Sequence, residues 1–132
     1  MRNKLAGEND INTAAYHCAS AFYIFSRGEG DFLKEVNFHV EKCANIFRSK
    51  SYNSSEHEDL FGFNIESFSK SLLAQANALH GNFDIATRIA NEAVSIAREP
   101  THIASLGLAL MYQNEVFIQC GFLQFVLLYK SN

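Results

Sequence analysis

Proline occurs once in this chain of 132 residues, glycine seven times and tryptophan not at all. So few breakers leave no room for the dense turns of an all-β sandwich, and those present fall between long apolar-periodic stretches. The three cysteines, Cys18, Cys43 and Cys120, are odd in number and far apart. They exclude a disulfide framework and read as reduced, buried thiols. Basic charge is sparse as well: eleven Lys and Arg lie scattered in a chain of net charge -3, so no stripe could track a phosphate backbone and no nucleic-acid partner is expected. The start, Met1 to Glu8, turns acidic before any apolar run of signal-peptide length develops, which predicts no secretory signal and a cytoplasmic protein.

What is present is apolar. Hydrophobic residues make up 48% and aromatics 13%, with twelve phenylalanines, more than one small core of this size hides. The length suits a single domain covering residues 1–132.

The apolar spacing is helical throughout, so the fold class expected is all-α. Asp10 or Asn12 can cap a first helix carrying Ala14, Ala15, Cys18, Ala19, Phe22 and Phe25, ended by Gly28-Glu29-Gly30-Asp31. A second carries Phe32, Leu33, Val36, Val40, Cys43, Ala44 and Phe47, followed by a polar loop from Ser49 to Ser55. A third, starting between Glu56 and Asn64, carries Phe68, Leu72, Leu73, Ala76 and Leu79. After His80-Gly81-Asn82 a fourth runs from Phe83 through Ile85, Ala86, Ile89, Ala90, Ala93 and Ala97. Pro100 breaks the chain, Thr101 can cap a fifth helix with Ile103, Leu106, Leu110 and Met111, and Gln113-Asn114 is a candidate turn before a last apolar stretch, Val116 to Tyr129.

The segment from Ser67 to Pro100 resembles a tetratricopeptide repeat, a helix-turn-helix unit of about 34 residues. Leu73 and Ala74 stand at that family's first-helix leucine and small residue. Gly81, Asn82 and Phe83 match its turn, Ala86 and Ala93 its small second-helix positions, and Pro100 its terminal proline. Lys70, Asn77 and Ala90 depart from its preference for bulkier side chains. A fainter echo lies upstream, where Ala19, Phe22 and Tyr23 precede Gly30-Asp31-Phe32. The resemblance implies about three stacked antiparallel helical hairpins, near residues 10–50, 57–99 and 101–130, forming a TPR-like α-solenoid.

It also implies a non-enzymatic protein–protein interaction module, such as an adaptor, regulator, anti-activator or chaperone, needing no cofactor and no metal. In such folds the first helices of successive hairpins line a concave groove. Carried onto this chain, that wall holds His17, Ser20, Ile24, Arg27, Ser71, Gln75, Ala78, His102, Ser105 and Tyr112, and suits another protein's amphipathic helix or extended apolar segment. The Lys, Arg and Asn clamp by which some relatives grip a terminal carboxylate has no counterpart at Ser71, Leu72 and Gln75.

The last stretch is apolar almost all round yet too short to span a bilayer. Phe117, Phe122, Phe125, Leu128 and Tyr129 point in several directions, and insertion into the chain's own core competes with self-association as a homodimer and with capture by a different protein. A rival from another class is a small helical metal-dependent hydrolase or nuclease gathering His39, His57, Glu58 and His102. Its elements are weak: His39 and Cys43 lie one helical turn apart without a second pair of ligands, and Glu56-His57-Glu58-Asp59 reads first as a solvated helix start.

Overall fold

The structure, a computed structural model, describes residues 11–49, 58, 61–98 and 103–131. It is all-α, with five helices: α1 Ile11–Arg27, α2 Phe32–Ser49, α3 Ile65–Leu79, α4 Phe83–Arg98 and α5 Ile103–Ser131. Adjacent helices pack mostly as antiparallel pairs, α1 with α2 and α3 with α4, while α5 lies against both α3 and α4. The cap Asp10, the polar segment 50–55 and the Pro100-Thr101 break lie outside the described residues.

Each hairpin turns where the backbone demands glycine. Gly28 has φ +61° and its N–H donates to the Ile24 carbonyl at 3.1 Å, ending α1. Gly81 has φ +82° after α3, and Asn82 then hands the chain to α4. The Asn82 N–H donates to the Asn77 carbonyl at 2.9 Å and its side-chain amide to Asn77 Oδ1 at 3.0 Å. Asn77 in turn donates to the Leu73 carbonyl, so its amide serves the turn.

Helix α3 is the hub, in contact with all four of the others. Every residue from Ser71 to Ala78 is buried, on all sides of the helix rather than on one stripe. Such a helix must be both apolar and thin, and Ser71, Ala74, Ala76 and Ala78 make it so. From the other side Ala86, Ala90, Ala93 and Ala97 of α4 are buried too, which lets the α3 and α4 backbones approach. The Ser67 hydroxyl donates to the Ala93 carbonyl at 2.8 Å, bridging α3 to α4.

Two boundaries differ from the sequence expectation. Helix α3 starts at Ile65 behind Asn64, whose extended backbone (φ -79°, ψ 112°) and side-chain oxygen, accepting from the Ser67 N–H, make it the N-cap. Residues 103–131 form one continuous helix where a third hairpin near 101–130 is expected. Gln113 and Asn114 offer neither proline nor a left-handed glycine, and the Gln113 amide instead donates to Asn91 Oδ1 of α4 at 2.8 Å, tying mid-helix to the bundle. The architecture is therefore two hairpins and a long fifth helix.

Ala74→Leu places three extra carbons where α3 is enclosed on every side, and is expected to cost about 1–3 kcal/mol or more through overpacking. Equilibrium denaturation by urea, compared with Ser95→Leu at an exposed position of α4, measures it.

Candidate docking groove

An apolar recess of about 470 Å³ opens between α1, the segment before α3, α3 itself and α5, lined by Ala15, Cys18, Ala19, Phe22, Phe61, Phe63, Ile65, Phe68 and Leu108. No charged or amide side chain is among them. Alanines at 15 and 19 on α1 leave the space, and Phe22 closes one end. Phe68 stands at its floor, its ring 5.9 Å from Phe22, 5.1 Å from Phe63 and 5.6 Å from Tyr112, centroid to centroid. Edge-on and tilted contacts of this kind fix the rings to one another.

A buried polar network holds the segment that supplies Phe61 and Phe63. Glu58 is fully buried, accepting from the Ser105 hydroxyl of α5 at 2.7 Å and from the Asn64 amide at 3.3 Å. The Asn64 N–H donates to Ser105 Oγ at 2.8 Å. A carboxylate, a hydroxyl and a helix cap thus tie Glu58 and Asn64 to α5, the first of them across 47 positions of sequence.

The residues expected on the groove wall are distributed differently. Ser71, Gln75 and Ala78 are buried within the bundle, and Ser105 is consumed by the Glu58 network. Ile24 packs into the core beside Ala21 and Val36. Ser20 is half-buried. Arg27 lies at the exposed end of α1, in an ion pair with Glu29 at 3.1 Å and over the Tyr23 ring. Gln75 and Tyr112, with Met111 and Glu115, border a smaller recess of about 250 Å³. His102 lies outside the described residues. The wall is still drawn from α1, α3 and α5, but from a neighbouring stripe, which reads in sequence as ordinary core.

His17 turns towards α2. Its Nδ1 is 2.8 Å from Nδ1 of His39, with Tyr16 and Phe38 edge-on to the pair. One ring must donate and the other accept, so the accepting ring is neutral in this arrangement. Burial holds both below the ordinary histidine value; for His17 the charges of His39 and Lys42 add to it, while for His39 the nearby Glu35 works the other way. Cys43, one turn beyond His39, is buried, its thiol pushed up to about 12 chiefly by desolvation. Cys18 is buried and raised as well, again mainly by desolvation. Both thiols are protonated and unreactive at neutral pH. Among the described residues no three His, Cys, Asp or Glu side chains gather as metal ligands. His57, Glu56 and Asp59 lie outside the described residues.

A second cleft, of about 500 Å³, lies between α2 and the α3–α4 pair and has the opposite chemistry. Lys34, Glu41, Lys70, Arg88 and Glu92 line it, with Glu92 accepting from Lys70 at 3.4 Å and from Arg88 at 3.1 Å. Lys70, Arg88 and Glu92 thus form one ion-pair cluster on its wall. Among the described residues no helix is long and apolar enough to cross a membrane.

Two outcomes follow from these contacts. Ser105→Ala leaves the buried Glu58 short of a donor and is expected to destabilise the fold by about 1–3 kcal/mol, read by chemical denaturation. The folded-state values of His17 and His39 lie below the unfolded value of about 6.5, so the unfolded chain takes up protons first as pH falls. Stability should hold above pH ~6.5 and decline below it, and the double change His17→Gln, His39→Gln should flatten the decline. Half-buried Glu66, raised mainly by desolvation, contributes with the opposite sign at lower pH.

Against this geometry, comparison with protein-family models, with curated proteins and with solved structures finds no match.

Proposed function

We propose that the chain is a non-enzymatic protein-interaction module of tetratricopeptide-like build, acting as an adaptor, regulator or chaperone that seats a partner protein's segment in the α1–α3–α5 groove. The observation that carries this reading is the groove's lining: an open recess of about 470 Å³ faced by aliphatic and aromatic side chains, with phenylalanines from three separate chain segments meeting over it. Apolar surface left open costs free energy at roughly 25 cal/mol per Å², and proteins keep such patches where something docks. The occupant that fits is an amphipathic helix presenting apolar side chains three and four residues apart, since the lining offers apolar contact and no charged or amide side chain.

The support for the tetratricopeptide-like part is narrower. It consists of the two glycine-turned hairpins, the alanines between α3 and α4, and a groove assembled from the first helix of each hairpin together with α5.

Ala19 is an exposed groove residue, so a charged side chain there blocks the recess without entering the core. Helical peptides selected from a random display library on the wild-type protein are expected to carry paired apolar anchors. By calorimetry they should lose about tenfold or more in affinity for Ala19→Arg and Leu108→Lys, the loss of roughly one buried anchor. A photoreactive residue at position 19 in the native host should form adducts with a protein containing such a helix. Selected peptides indifferent to both substitutions would overturn the groove as the binding site, and peptides without apolar anchors would overturn the proposed partner chemistry.

A further inference from the structure

From Val116 to Tyr129 the fifth helix carries no charged residue, and the run is bracketed by Glu115 and Lys130. Its inner face ends at Val116 and Cys120, which are buried; beyond Cys120 no described side chain of α5 is buried. Phe117, Ile118, Phe122, Phe125 and Tyr129 are 45%, 56%, 56%, 66% and 75% exposed. A helix apolar on all sides belongs in an interior. We propose that a second copy of the chain supplies that interior, the two α5 helices packing antiparallel about a two-fold axis.

Three features select this occupant and this orientation. The first is register. Laying the two uncharged runs end to end in antiparallel sense brings the Glu115 end of each copy level with the Lys130 end of the other, whereas a parallel pair would bring acidic end to acidic end and basic to basic. The second is shape: Gly121 is exposed on the same face, and nothing lies within 4 Å of where its Cβ would be. Glycine weakens a helix interior, and its use there is to let another surface come close. In the antiparallel pair the Phe125 ring of one copy seats over the Gly121 notch of the other, and this requires the same register as the end-to-end match to within one residue, about 1.5 Å. The third is area. Phenylalanine and tyrosine bury 150–250 Å² each, so five side chains exposed to this degree bring about 500 Å² per copy and about 1,000 Å² for the pair, the threshold of a stable interface. A face that matches itself under a two-fold is what a homodimer needs. The pairing is independent of what the groove holds, since Leu108 lies near the other end of α5.

Light scattering coupled to size exclusion, with the chain at about 50 μM, tests the mass, which should be twice 14.8 kDa. Gly121→Arg and Phe125→Asp, both at exposed positions, should each yield monomers of unchanged helicity. Glu115→Lys and Lys130→Glu should each weaken the dimer about threefold or more at low salt, and the double exchange should restore it. A monomeric wild type, or a Gly121→Arg variant that stays dimeric, would overturn the proposal. So would a double exchange no better than the single ones, because only the antiparallel register brings those two oppositely charged ends together.

Discussion

A helix can be enclosed by four others only if its side chains leave room for their backbones, and everything in this fold depends on α3 meeting that condition. Serine and alanine at positions 71, 74, 76 and 78 make the helix narrow, and Leu72 and Leu73 supply the apolar bulk between them. Small residues give up hydrophobic area per side chain and gain close approach, so dispersion contacts along α3 and α4 stand in for the large interlocking side chains of other cores. The arrangement tolerates little added volume at its centre and far more at its rim, where most of the aromatic residues sit.

Those aromatics shape the surface. With α3 too slender to absorb them, phenylalanines 22, 61, 63 and 68 line an opening at the seam of α1, α3 and α5, where the rings of Phe22 and Phe63 both meet Phe68. The opening persists because its near side is held by polar bonds: Glu58, Ser105 and Asn64 fix the chain leading into α3 by directional contacts that cannot slide as an apolar surface could. The two chemistries are complementary, the polar bonds setting position and the aromatic side chains lining the opening.

The helices themselves were largely legible in the sequence. The left-handed positions at Gly28 and Gly81, and the alanine spacing from Ala86 to Ala97, mark the two hairpins because turn chemistry and close packing are written locally. The third hairpin was not there to be read: Gln113-Asn114 looks like a turn by composition, yet without a breaker the helix continues, held by Asn91 of α4. The site was legible only in outline. Which helices face the groove follows from hairpin order, but which stripe of each does so depends on a rotation that polar residues misreport. Ser71 and Ser105 are hydrophilic by type and buried by position, while Phe22 is apolar by type and exposed. The pairing of Glu58 with Ser105 and of His17 with His39 joins residues 47 and 22 positions apart, and no local pattern encodes either.

The continuity of α5 carries a mechanical consequence. Leu108, on the recess, and Phe125, on the overhanging end, belong to one rod without a joint, roughly 25 Å apart along its axis at 1.5 Å per residue. A pair of helices linked by a loop would damp a torque applied at the far end. A single helix keeps the two residues at one spacing and one orientation, so the direction in which the overhang projects is set by the same axis that lines the recess beside Leu108.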